Sequence, residues 1–299
     1  MAGPSSKFVA AVAGGVIEGS RQGTGPPVVV LHGGPGLSDY TASLAGELVE
    51  EFTVYRYQQR GLAPSTTSGP FTVETHVSDL IAVMGAIDTA EVFLVGHSWG
   101  GHLAMHVAAA YPERLLGLVV VDPLGAVGDG GEADMEMIMA QRIPPDAAAR
   151  SAELDSRAMR GEGTPGDAME ALSIVWPAYF ATPEHAPPMP PMDMSLACYS
   201  GTWESIHHHL ARQTLATGLG RVQAPTVFVL GAASPIPPRH GVASAALIPG
   251  AATEILPDCG HFPWLEQPGV IKAAVLSVQA RSAAGSTRPG DVDGSVERA

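Results

Sequence analysis

The chain has 299 residues, of which 45% are hydrophobic, so its length suits one large α/β domain or one domain that carries an insertion. Thirty acidic residues against 16 basic ones give a formal net charge of −14, which argues against nucleic acids and anionic membranes as partners. Two cysteines, Cys198 and Cys259, are too few for a disulfide framework, and we expect free thiols in a cytoplasmic protein.

Membrane and export signals are not expected either. No apolar run has the length that crosses a membrane, and no basic segment is followed by a continuous apolar stretch near residue 1. The oligomeric state stays open at this level, with a homodimer as one alternative.

The first elements lead to a glycine-rich loop. Small and apolar residues alternate over residues 8–20, which predicts an antiparallel pair of strands. A β-branched run at 27–31 predicts a buried strand that leads into His-Gly-Gly-Pro-Gly at 32–36. Because glycine has no Cβ atom, the N–H groups of this loop can approach a ligand closely. We predict that Gly34 supplies one donor of an oxyanion hole, and a plain turn is the alternative.

The strongest motif is Gly-His-Ser-Trp-Gly at 96–100, which ends an apolar strand pattern and starts an alanine-rich helical one. Small residues two positions before and after Ser98 allow the strand and the helix to approach closely, as in a nucleophile elbow. The backbone N–H of Trp99 and the positive end of the helix dipole then favour an oxyanion. We predict that Ser98 is a nucleophile, and a structural turn is the alternative.

Strand and helix patterns alternate along most of the chain and are interrupted once. Eight of the eleven methionines lie in the interruption, which has glycine- and proline-rich breaks and little β pattern. We predict an α/β fold in which a mostly parallel sheet carries helices on both faces and an inserted helical cap. The predicted parts are a core (1–123 and 206–282), a cap (124–205) and a disordered tail (283–299). Helices are predicted over 38–50, 71–87 and 99–110, and strands over 52–57, 92–95, 115–121, 225–231 and 252–256.

A serine hydroxyl is a weak nucleophile until a base takes its proton, and the candidate base is His261. It follows the last predicted strand, in Gly-His-Phe-Pro at 260–263. With the motif around Ser98, this pair resembles the α/β-hydrolase superfamily over most of residues 8–281. The loop at 32–36 and Gln-Arg-Gly at 59–61 are similar to those of proline iminopeptidases. That branch usually has aspartate at the position of Gln58 and keeps its catalytic acid after the penultimate strand.

The residue at that acid position is Ser234, within Gly-Ala-Ala-Ser-Pro at 231–235. This segment and Leu-Pro-x-x-x-His-Phe-Pro around His261 resemble the zearalenone-type lactonases. That resemblance implies that the acid is Asp122, at the end of the strand after the elbow helix, and that Trp176 holds an aromatic macrolactone. The alternatives are that Asp122 only caps a turn and that Trp176 belongs to the core of the cap.

Other polar residues are weaker candidates. The run of histidines at 207–209 is not expected to bind a metal, since adjacent helical residues point roughly 100° apart. Asp258 and Glu266 lie near His261 in sequence, but this proximity does not aim a carboxylate at its ring. Three histidines at helical spacing near the elbow are expected to have structural roles: His97, His102 and His106.

The leading hypothesis is a serine hydrolase without cofactor or metal that cleaves an ester or lactone of an apolar, aromatic small molecule through an acyl-enzyme. A proline iminopeptidase-like aminopeptidase is the alternative, in which Asp193 and Glu204 are candidates to hold the substrate's ammonium group. A non-hydrolytic small-molecule binding module is an alternative of another class, because a fold does not determine a function.

Overall fold

The sheet has eight strands in the computed structural model, which describes residues 5–286. The strands are β1 (Ser6–Val12), β2 (Gly15–Gln22), β3 (Pro27–Leu31), β4 (Thr53–Tyr57), β5 (Val92–His97), β6 (Leu115–Val121), β7 (Thr226–Gly231) and β8 (Ala252–Leu256). Their order in the sheet is β1-β2-β4-β3-β5-β6-β7-β8. β1 and β2 pair antiparallel, as do β2 and β4, and all other neighbours are parallel. The predicted α/β fold with a mostly parallel sheet is confirmed.

Helices cover both faces of this sheet. They are α1 (Ala42–Gly46), α2 (Val73–Ala86), α3 (Trp99–Ala110), α4 (Glu132–Arg142), α5 (Pro145–Met159), α6 (Pro165–Val175), α7 (Leu196–Ala211), α8 (Thr214–Gly218), α9 (Pro238–Ala245), α10 (Pro263–Glu266) and α11 (Val270–Ser286). Short 3₁₀ turns lie at Pro112–Arg114, Trp176–Tyr179, Pro183–His185 and Leu219–Arg221.

The central strands are apolar runs because both of their faces are buried. Every residue of β5 and of β7 is buried. One apolar cluster joins the sheet to α2 and α3 through side chains such as Leu80 and Leu103. A second cluster covers the opposite face, where Leu44 of α1 and Ile271 of α11 pack. Each such buried side chain stabilises the fold by about 1.5–3 kcal/mol.

The segment between β6 and β7 forms a helical insertion that contains α4 to α8. Two of its helices begin at side-chain caps, Thr164 before α6 and Ser195 before α7. Leu37, in the loop after β3, forms a β-bridge with Met194 of the insertion. The insertion therefore lies over the loops at the carboxyl ends of the strands, while the limits 124–205 for a cap stay a prediction.

Two predicted elements differ from the structure. The predicted helix over 38–50 is reduced to α1, because Asp39 accepts hydrogen bonds from the backbone and hydroxyl of Thr41 and pairs with Arg56, outside a helix. At the other end, α11 continues to Ser286, into the segment for which the sequence predicts disorder. The rest of that predicted tail, 287–299, lies outside the described residues.

No helix within residues 5–286 is both long enough and apolar enough to cross a membrane.

Candidate active site

Ser98 lies at a sharp turn between β5 and α3. Its backbone has φ 56° and ψ −120°, a conformation that a residue with a side chain adopts only under strain. A Cβ atom on Gly96 would lie 2.2 Å from the carbonyl oxygen of Gly100, and one on Gly100 would lie 2.4 Å from that of Leu31. Both glycines are therefore required for this turn, which holds Ser98 at the end of the strand.

Trp99 and Gly34, the residues predicted to form the oxyanion hole, lie near Ser98. Trp99 is the first residue of α3, so the helix does not use its N–H group. The glycine-rich loop passes close to the elbow, since a Cβ atom on Gly33 would lie 2.7 Å from Cβ of Ser98. Gly34 has φ +58° and lines the same cavity as Ser98 and Trp99. The structure thus brings together the predicted nucleophile and both predicted oxyanion-hole residues.

The side chain of Gln59 links the two sides of this region. Its amide nitrogen donates to the carbonyl oxygen of His32 at 2.8 Å, and its amide oxygen accepts from Nε1 of Trp99 at 2.9 Å. Sequence reasoning did not assign it a role, although the Gln-Arg-Gly motif at 59–61 marked the position. Its two hydrogen bonds hold the glycine-rich loop against the start of α3.

His261 and Asp122 are in direct contact. Nδ1 of His261 lies 2.5 Å from Oδ2 of Asp122, and both side chains are buried. The same carboxylate accepts from the backbone N–H of Gly231 at 3.1 Å and from the hydroxyl of Ser234. His261 also lines the cavity that contains Ser98. The serine, the histidine and the aspartate are therefore assembled at the carboxyl ends of β5, β6 and β8.

A cavity of about 960 Å³ opens above these residues. Its floor is formed by Gly34, Ser98, Trp99 and His261, and the helical insertion forms its walls. Apolar and aromatic side chains dominate those walls, and they include Met135, Met139, Leu154, Leu172, Val175, Tyr179, Tyr199, Trp203 and Ile206.

The sequence model of the family described as alpha/beta hydrolase fold matches residues 26–268. This chain belongs to that family. The match spans every strand from β3 to β8 and includes the elbow, the aspartate and the histidine.

Individual relatives of this α/β hydrolase have different names. A putative non-heme bromoperoxidase from Mycobacterium tuberculosis is 26% identical over 265 residues, 85% of this chain and 94% of the relative. A proline iminopeptidase from Heyndrickxia coagulans is 24% identical over 260 residues, 83% and 88% of the two chains. The structure of an enol-lactonase from Burkholderia xenovorans aligns with a TM-score of 0.63 at 20% identity, over 91% of this chain and 99% of the other.

Trp176 does not lie on the cavity wall, contrary to the prediction that it binds substrate. Its Nε1 donates to the carbonyl oxygen of Pro187 at 2.7 Å, and its ring packs against Phe180 and Phe262. With its ring buried and its N–H group already bonded within the insertion, Trp176 has a structural place in this α/β hydrolase.

Three other aromatic residues line the cavity, and sequence reasoning missed them. Tyr199 and Trp203 lie four residues apart on α7, a spacing that places both on one face of the helix. The ring of Tyr179 stacks on the imidazole of His261 at 5.2 Å between ring centres. The spacing of Tyr199 and Trp203 was a usable signal, whereas nothing in the sequence indicated the contact of Tyr179.

The weaker acid candidates lie away from the reacting groups. Asp258 is exposed, and Glu266 accepts from the backbone N–H groups of Gly260 and Ala181 at 2.8 and 2.9 Å. Burial raises the pKa of Glu266, while these hydrogen bonds oppose the shift. Glu266 therefore ties the histidine loop, residues 257–262, to the insertion.

The acidic residues predicted to hold an ammonium group are not among the described residues that line the cavity. Asp193 and Glu204 are exposed and do not line this cavity among the residues that the structure describes. Glu136 and Asp167 line it instead, but Asp167 is already paired with Thr164 and Arg157.

Several histidines other than His261 have local partners. His207 contacts Glu132 at 2.7 Å and His209 contacts Glu74 at 2.9 Å, on different neighbouring helices. Over residues 5–286, no group of three or more potential ligands is placed to hold a metal ion. Near the elbow, burial lowers the pKa of three histidines, to about 4 for His102 and well below the usual value for His97 and His106.

Proposed function

We propose that this α/β hydrolase is a serine hydrolase that cleaves an ester or lactone of an apolar, aromatic small molecule. The contact between His261 and Asp122, in one cavity with a serine on a strained elbow, carries this proposal. In this scheme Ser98 is the nucleophile, His261 the general base and Asp122 the acid that orients the base.

The reaction has two halves. Nε2 of His261 takes the proton of Ser98 Oγ as the oxygen attacks the carbonyl carbon, and Nδ1–H donates to Asp122 throughout. The negative charge that develops on the carbonyl oxygen is stabilised by the N–H groups of Trp99 and Gly34. His261 then protonates the leaving alkoxide, which leaves an acyl-enzyme that water hydrolyses by the same steps.

The size and the lining of the cavity support an apolar, aromatic substrate. Its volume of about 960 Å³ lies at the upper end of the usual range for small-molecule sites, so the space suits a bulky body. Methionines adapt to irregular ligands, and the rings of Tyr199 and Trp203 offer apolar faces for an aromatic group. Tyr199 and Trp203 line the cavity, whereas Trp176 does not.

Substitution of the nucleophile tests the proposal. Ser98→Ala should reduce turnover of aryl lactones and p-nitrophenyl esters by about 10⁴-fold or more, and a fluorophosphonate should label the wild type but not Ser98→Ala. Ser173→Ala, which alters an exposed serine on α6, serves as the control. Unchanged turnover in Ser98→Ala would end the serine-hydrolase proposal. An absence of labelling and of turnover in the wild type would favour a binding module.

An aminopeptidase resembling proline iminopeptidases is the second candidate. The relative that is 24% identical over 83% of this chain has that name, and Glu136 on the cavity wall offers a carboxylate for an ammonium group. Prolyl arylamides included in the same assay separate the two candidates. Their preferential hydrolysis, lost in Glu136→Gln, would favour the aminopeptidase.

A further inference from the structure

The imidazole of His97 joins three separate loops of the candidate site. His97 is fully buried and immediately precedes Ser98 in the elbow. Its Nε2 lies 2.7 Å from the carbonyl oxygen of His261, in the histidine loop. Its Nδ1 lies 2.7 Å from the hydroxyl of Tyr40, and that hydroxyl lies 2.9 Å from the backbone nitrogen of Gly33, in the glycine-rich loop.

The chemistry of these groups determines where each proton lies. The carbonyl oxygen of His261 can only accept, so Nε2 of His97 must carry a proton. The N–H group of Gly33 donates to the hydroxyl of Tyr40, and the tyrosine's own hydrogen is then directed to Nδ1 of His97. A neutral imidazole meets both requirements, and burial lowers the pKa of His97 well below its usual value.

We propose that His97 and Tyr40 are positioning residues that fix the distances between the nucleophile, the general base and the oxyanion hole. This inference rests on the proposed function of the same site. The hydrogen bonds run without a break from Gly33 through Tyr40 and His97 to His261. Ser98 follows His97 directly in the chain, so a shift at any of these groups changes the geometry of attack.

Packing alone is the competing explanation. The ring of His97 contacts those of Tyr40, Phe262 and Trp264 at 5.8, 5.0 and 4.7 Å between ring centres. If packing were its whole role, a phenylalanine ring in either position would serve nearly as well. The two explanations therefore differ in what happens when the hydrogen bonds are removed and the rings are kept.

The test uses Tyr40→Phe, with Tyr57→Phe as the matched control. Tyr57 also lies in the core, and within the described residues its buried hydroxyl has no hydrogen-bond partner. Tyr40→Phe should lower kcat on a p-nitrophenyl ester by about 10- to 100-fold with KM changed less than about twofold, because small misplacements of reacting groups reduce the rate strongly. Tyr57→Phe should leave both constants unchanged.

A double substitution tests whether the two residues act as one chain. His97→Phe should lower kcat at least as much as Tyr40→Phe, and the double variant Tyr40→Phe/His97→Phe should lose no more than the worse single variant. Losses that multiply in the double variant would mean independent roles and would overturn the proposal.

A second measurement does not depend on turnover or on the folding of variants. Nitrogen-15 NMR of the full chain with labelled histidines should show His97 neutral with its proton on Nε2 across pH 5–8. A proton on Nδ1 in the wild type would overturn the inference, as would equal kcat in Tyr40→Phe and Tyr57→Phe with an active wild type. An inactive wild type that still shows the Nε2–H form would instead end the proposed function and leave the hydrogen-bonded chain in place.

Discussion

The carboxyl ends of β6 and β7 lie side by side in the sheet. Both contribute to the carboxylate group that contacts His261, but in different ways. β6 ends at Val121 and is followed by Asp122, whose backbone takes the left-handed φ of 41° and whose side chain supplies the carboxylate. β7 ends at Gly231 and is followed by Ser234, and these two residues supply hydrogen bonds to that charge. One strand provides the carboxylate and its neighbour holds it.

In the proposed mechanism, His261 needs a carboxylate beside its Nδ1, and the ends of both strands lie close to that place. The hydroxyl of Ser234 and Nδ1 of His261 both reach Oδ2 of Asp122. A side chain at position 234 therefore lies close enough to take the place of the group that it now supports. The following experiments change one strand end or the other.

The largest effect is expected at the end of β6. Asp122→Asn should keep the fold but lower kcat by roughly 10³- to 10⁴-fold, because an amide cannot stabilise the imidazolium and favours the wrong tautomer. Steady-state kinetics with a p-nitrophenyl ester and a thermal melt measure the two parts of this prediction. Near-normal turnover in a folded Asp122→Asn protein would show that the acid lies elsewhere.

A carboxylate moved to the end of β7 should recover part of this loss. Asp122→Asn/Ser234→Asp should turn over about 10- to 100-fold faster than Asp122→Asn alone, since the backbone N–H of Ile236 already donates to position 234 at 3.1 Å. Ser234→Asp in the otherwise unchanged chain is the control, and it should be slower than the wild type because two adjacent carboxylates repel. Equal rates in Asp122→Asn and Asp122→Asn/Ser234→Asp would mean that the two strand ends are not interchangeable.

The smallest effect is expected when the hydrogen bond from Ser234, after β7, to the carboxylate of Asp122 is removed. Ser234→Ala removes one of three hydrogen bonds to Asp122 and leaves those from Gly231 and His261. Turnover should fall less than about tenfold, because the carboxylate keeps its charge and its contacts with Gly231 and His261. A loss as large as that of Asp122→Asn would make the serine an essential member of the site.

The sequence predicts the parts of this site that depend on local geometry. The elbow is fixed by glycines within two residues of Ser98, and His261 follows the last predicted strand. Asp122 is indicated by the resemblance to the zearalenone-type lactonases. The surroundings of Trp176 depend on which distant residues pack against it, so the sequence could not decide between a contact with substrate and a place in the core. The stacking of Tyr179 on His261 is missed for the same reason.

The histidine loop is attached to the helical insertion at residues 179–181. The backbone N–H of His261 donates to the carbonyl oxygen of Tyr179 at 2.8 Å, and Glu266 bonds both Gly260 and Ala181. An outward movement of residues 179–181 would therefore pull His261 away from Ser98. The constraint extends to α4, because Arg142 donates to the carbonyl oxygen of Ala178 at 2.9 Å. The distance between His261 and Ser98 thus depends on where this side of the insertion lies.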